Sequence, residues 1–129
     1  MGLFAGLRID WPPAWRRILE PVDGAVREYG LTNDLFASRS QLETAFRDAG
    51  LTIERAEELT DRFDYHTADI ALTCWRQIRF VPLMLRGLSP QVVAAVEEAF
   101  EARVREAWSR TPPEDLVLAF GAVSMVGYR

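Results

Sequence analysis

Apolar positions along this chain recur at two rhythms, one near every three to four residues and one close to continuous, and they predict both helices and strands. Residues 3–9 (LFAGLRI) form a short apolar run that stops at Asp10-Trp11-Pro12-Pro13, the pattern of a buried strand ended by a proline pair. From 13 to 29, Trp15, Ile18, Leu19, Val22 and Val26 trace one face of a helix, with Gly30 as its left-handed stop and Pro21 as an expected break or kink. Ser38 with Gln41, and Ser40 with Glu43, both have capping-box spacing and lead into Leu42, Ala45, Phe46 and Ala49 before Gly50. Leu51, Ile53 and Ala56 then start a strand whose Thr52, Glu54 and Glu57 point partly to water, so 38–57 is predicted as a helix–strand unit ending in an edge or near-edge strand.

Ile70, Cys74, Ile78 and Val81 predict a helix over 67–81, apolar around much of its girth and ended by Pro82. Ser89-Pro90 supplies an N-cap and a first-turn proline. Val92, Val93, Val96, Phe100, Val104 and Trp108 then mark a helix over 90–109, stopped by Thr111-Pro112-Pro113. The last run, 116–128, is apolar on both alternating faces, with Leu116, Leu118, Phe120, Ala122 and Val126 on one and Val117, Ala119, Val123 and Met125 on the other. At about 3.3 Å per residue it spans roughly 40 Å, about twice either other strand candidate. Such a strand asks for helices on both faces and neighbours on both edges. Three strands leave at least one apolar edge open, so the pattern calls for a partner chain, whether a second copy or a different polypeptide. The alternative is a monomer in which a helix covers that edge. The expected fold is α/β, a single domain over 1–129 with a small mixed sheet of about three strands and dominant helices.

Composition narrows the functions. With 49% hydrophobic and 26% charged residues in 129, the chain has the make-up of one ordinary globular domain. A net charge of -4 without a basic stripe argues against nucleic acid as a partner. All 15 basic residues are arginine, a coding bias or a set of forks for carboxylate and phosphate. The single cysteine, Cys74, has no internal disulfide partner, and its apolar neighbours suggest a buried thiol. No 18-residue apolar stretch reaches membrane-spanning length, and MGLFAGLRIDW lacks the form of a secretory signal, so no membrane and a cytoplasmic location are expected.

The element order resembles the C-terminal half of a class I S-adenosylmethionine-dependent methyltransferase. In that family a strand after the cofactor-binding half leads through an insertion to a helix, then to a strand and a final antiparallel strand inserted beside it. GLFAGLRIDW looks like the first strand, and SRSQLETAFRDAGLTIERAEELT, with its "AFRDAGL" junction, looks like the helix–strand unit. DLVLAFGAVSMVGYR looks like the terminal strand, and 11–37 and 60–112 look like insertions that cap the acceptor pocket. A complete member carries, upstream, a strand with a glycine-rich turn for the cofactor, and no G-x-G-x-x-G follows a strand here. The resemblance therefore implies half of a split small-molecule methyltransferase, binding no cofactor alone and meeting S-adenosylmethionine through a partner chain. Two other readings compete: a cofactor-free cyclase or isomerase of a hydrophobic natural product, and a non-catalytic scaffold.

FDYHTADIALTCWRQ holds the densest mix of titratable and aromatic groups. His66, the only histidine, is the natural proton shuttle near neutral pH, with Tyr65 and Asp64 as further acid–base candidates. Trp75, Arg76 and Met84 are the candidates for substrate contact: an aromatic face to stack on, a guanidinium for an acidic group, and a flexible apolar side chain. Asp64, His66 and Asp69 lack the second histidine or cysteine cluster of a usual metal set. No serine sits in a G-x-S-x-G turn.

Overall fold

The computed structural model of the chain describes residues 2–31 and 39–129, with β1 (Gly2–Asp10) described as backbone alone except at Ile9. The remaining elements are α1 (Pro13–Glu28), α2 (Arg39–Asp48), β2 (Thr52–Phe63), α3 (Ala68–Gln77), α4 (Phe80–Met84), α5 (Pro90–Arg110), a 3-10 turn (Pro113–Leu116) and β3 (Leu118–Tyr128). The fold is α/β with helices dominant. It divides into two compact units, one of β1, α2, β2 and β3, the other of α1, α3, α4, α5 and the 3-10 turn.

In the sheet unit the strand order is β1-β3-β2, and both ladders are antiparallel. The C-terminal strand thus has a neighbour on each edge, which answers the edge part of what a run apolar on both faces asks for, while Phe120 and Val126 stay half-buried. Gly2 pairs with Val126 and Asp10 with Ala119 on one side, and Thr52 with Tyr128 and Phe63 with Leu118 on the other. Each ladder shifts register once, between Ala5 and Leu7 and between Ile53 and Arg55. Leu42 and Phe46 of α2 pack on Val123 and Met125, flanked by Leu51, Ile53 and Ala56. Gly50 closes α2 at φ 76°, a left-handed position that glycine takes without steric cost.

Several expectations are corrected here. The sheet is antiparallel throughout rather than mixed, because β3 lies between the two earlier strands and runs against both. At 12 residues β2 is the longest strand, reaching Phe63 instead of stopping at 57, since its charged residues stay exposed while its backbone pairs with β3 along the whole length. β3 starts at Leu118, because Pro113–Leu116 coils into a 3-10 turn. Ser40 lies inside α2, where its carbonyl accepts from the Thr44 hydroxyl (2.9 Å), so Ser40 with Glu43 is no capping box; Ser38 lies outside the described residues.

The helical unit is built on α1 against α5. Trp15, Ile18, Leu19, Val22 and Ala25 bury one face of α1, and Phe100 and Val104 of α5 are buried. Trp108 meets Trp15 edge-on, with ring centres 5.9 Å apart. Pro21 does not break α1, which runs through it from Pro13 to Glu28. A proline there has no amide hydrogen for the Arg17 carbonyl one turn back. The Arg103 guanidinium of α5 supplies the missing donor at 3.2 Å, and the same nitrogen reaches Glu20 Oε2 at 3.3 Å.

The expected helix over 67–81 is two helices. Thr67 caps α3 by accepting from the Ile70 amide, and α3 ends at Ile78. Arg79 then turns left-handed (φ 54°) before α4. The turn delivers Phe80 edge-on to Trp75 at 4.6 Å, with Phe100 at 5.9 Å, so burial of an aromatic ring outweighs the strain at Arg79. Pro82 falls inside α4 rather than ending a helix, within the first turn where no amide is needed.

Two substitutions test these contacts. A Cβ at Gly127 would lie 2.8 Å from the Phe46 ring and 3.1 Å from the Thr52 carbonyl. Gly127→Ala is expected to lower stability by about 1–3 kcal/mol in urea unfolding, with a smaller loss in a Phe46→Ala background. Arg103→Ala is expected to cost about 1 kcal/mol, and Pro21→Ala, which restores an amide donor, should remove most of that cost; simple additivity would refute the compensation.

Candidate functional site

Asp64, Tyr65, His66 and Thr67 form the turn that leads into α3. The His66 amide donates to Asp64 Oδ1 (3.0 Å), the Thr67 amide to the Tyr65 carbonyl (2.6 Å), and His66 is left-handed at φ 62°. The turn sends adjacent side chains to opposite environments. His66 remains 73% exposed, with Nδ1 3.4 Å from Asp64 Oδ1, a pairing screened by water. Tyr65 is buried.

Its ring lies among Trp15 (6.3 Å), Trp75 (6.4 Å) and Trp108 (6.5 Å). Trp11 joins the cluster at 5.7 Å from Trp15 and 6.0 Å from Trp75. The Trp15 indole donates to the Leu116 carbonyl at 2.8 Å, which anchors the 3-10 turn on α1. The indole nitrogens of Trp75 and Trp108 are buried with no acceptor in hydrogen-bonding geometry. Burial pushes the Tyr65 phenol up to about 12; the neighbouring Cys74 thiol adds to the rise, and the Trp75 indole, close but outside bonding geometry, offsets part of it. A phenol so placed holds its proton at neutral pH and is poorly suited to act as a base.

Trp75 and Arg76 sit side by side in sequence but divide between core and surface. Trp75 is buried in the cluster, and the Arg76 guanidinium bonds Glu101 Oε1 at 2.7 Å. That contact holds the Glu101 carboxyl below its ordinary range. The depression they line has room for about 10 Å³, a single water at most. Met84 is half-buried at the end of α4. Arg105 of α5 bonds Asp69 Oδ1 at 3.0 Å, so this acid is engaged in an ion pair. Among the described residues no group of three or more His, Cys, Asp or Glu side chains could hold a metal ion.

A larger cleft of about 280 Å³ lies in the helical unit, where the first turns of α1 face the last turns of α5. Ala14, Ile18 and Ala107 give it an apolar wall, and Arg17, Arg103 and Arg110 supply positive charge with Glu106 as the one acid. None of the sequence-chosen candidates lines it. Their signal was present as rows on helix faces, Arg103 and Arg110 seven residues apart on α5 and Arg17 one turn beyond Pro13 on α1. Only the antiparallel pairing of α1 with α5 joins those rows into one site.

No protein-family model matches the chain, and no curated protein matches it. Among the described residues no helix is long and apolar enough to cross a membrane.

The raised phenol fixes the sign of a pH effect. An unfolded tyrosine ionises near 10 and the folded Tyr65 near 12, so its contribution to stability is complete below pH 10 and is lost as pH rises toward 12. Urea midpoints measured from pH 9 to 12 are expected to fall, and Tyr65→Phe to flatten that fall; an unchanged slope would place the ring in water.

Proposed function

We propose that this chain is the sheet-completing, acceptor-capping subunit of a split small-molecule S-adenosylmethionine-dependent methyltransferase, with the cofactor-binding half on a second polypeptide. The observation that carries the reading is the strand order. The last strand lies antiparallel between β1 and β2, the arrangement the family resemblance asks for, and β1 has a neighbour on one edge only among the described residues.

The two outer edges differ in chemistry. β2 exposes Glu54, Arg55, Glu57, Glu58, Asp61 and Arg62, a row of charges that discourages addition of a strand. β1 has no charged residue from Gly2 to Leu7. An uncharged edge next to a buried central strand is where a partner's sheet would continue this one. The absence of a glycine-rich strand–turn–helix in the sequence fits the same division of labour, with the cofactor's phosphate-free nucleoside held elsewhere and a hydrophobic acceptor enclosed by α1, α3, α4 and α5.

Within that scheme His66 and Asp64, paired with each other and water-exposed at the entry to α3, are the acid–base candidates an acceptor can reach, while Tyr65 and Trp75 hold the aromatic core. A cofactor-free isomerase centred on Tyr65 has less to support it, since that phenol keeps its proton at neutral pH.

Calorimetry provides the test. The isolated chain is expected to give no heat with S-adenosylmethionine, and adding a polypeptide that carries the glycine-rich half, sought first in neighbouring coding sequence, should restore binding and methyl transfer. Tight binding by the lone chain, or an inert mixture of the two halves, would overturn the proposal.

A further inference from the structure

The cleft between α1 and α5 combines a concave apolar wall with an excess of guanidinium groups, in a chain whose net charge is -4. Its charges are not equally available. Arg103 is committed to the Arg17 carbonyl and Glu20. Arg110 meets Glu106 at 3.3 Å, one turn back on α5, in a pair that is largely exposed. Arg17 makes no ion pair or side-chain hydrogen bond among the described residues. One guanidinium therefore lacks a counter-charge, on the rim of a cleft with Ile18 and Ala107 at its side.

The helix ends do not set the sign of this site. The start of α1, positive through its unpaired amides, faces the end of α5, negative through its carbonyls, and the two fields oppose each other. The arginine side chains decide it. A planar guanidinium presents paired donors that match both oxygens of a carboxylate, and Arg17 and Arg110 are exposed at the rim, where a ligand can reach them. The surplus of a single charge suits a monoanion. A volume of about 280 Å³ lies at the lower limit of small-ligand pockets and suits a compact apolar body.

We infer that the α1–α5 cleft binds a small carboxylate with an apolar body, the carboxylate on Arg17 with Arg110 as a second arm and the body against Ala14, Ile18 and Ala107. The inference is independent of methyl transfer, because the isolated chain suffices to test it.

The probe is 1-naphthoate, titrated calorimetrically into the purified chain, with the neutral 1-naphthalenemethanol as its uncharged counterpart. Saturable one-site binding of naphthoate, at least about tenfold tighter than the alcohol and weakening as sodium chloride is raised, is expected. Arg17→Ala and the milder Arg17→Gln should each weaken naphthoate at least about fivefold and leave the alcohol unchanged, and Arg86→Ala, which does not line the cleft, should leave both unchanged. The inference is overturned by the absence of saturable naphthoate binding, by equal affinity for the two probes, by indifference to both Arg17 substitutions, or by an equal loss in Arg86→Ala.

Discussion

Backbone pairing of β3 along both of its edges is the constraint on which the sheet unit rests. A strand with apolar side chains on both faces is stable only where its amides and carbonyls are bonded on either side and its side chains are covered. Here β1 and β2 supply the two ladders, and α2 covers Val123 and Met125. That placement leaves β1 and β2 as edges. The charges of β2 protect one of them, and the other is β1, free of charge from Gly2 to Leu7, from which the proposed partnership is argued.

The helical unit rests on a different compensation. Pro21 would ordinarily cost α1 a hydrogen bond and its continuity. Arg103 reaches across from α5 to take the orphaned Arg17 carbonyl, so a defect in one helix becomes a bond between two. Continuity of α1 then carries Trp15 into the aromatic cluster and Arg17 to the cleft rim. The same arginine that repairs the helix is thereby withdrawn from ligand binding, which leaves Arg17 as the uncompensated charge.

The site chemistry divides along one turn. Asp64 and His66 stay in water, while Tyr65, the residue between them, is driven into a cluster of four tryptophans and loses its value as a base. Proximity in sequence made FDYHTADIALTCWRQ look like one centre. A left-handed residue at His66 splits it, because a backbone reversal sends successive side chains apart.

What the sequence by itself determined was local. The 3.6-residue rows of α1 and α5, the Ser89-Pro90 start, the glycine stops at Gly30 and Gly50 and the near-continuous apolar run of β3 are each written in neighbouring residues, whose propensities act over one or two turns. Tertiary structure decided the rest. The placing of β3 between β1 and β2, the survival of α1 through Pro21, the packing of Phe80 on Phe100 after the break at Arg79 and the lining of one cleft by Arg17 and Arg110 all depend on residues tens of positions apart. No local preference encodes such a meeting, since its free energy comes from burial and bonds made only after the chain has folded back on itself.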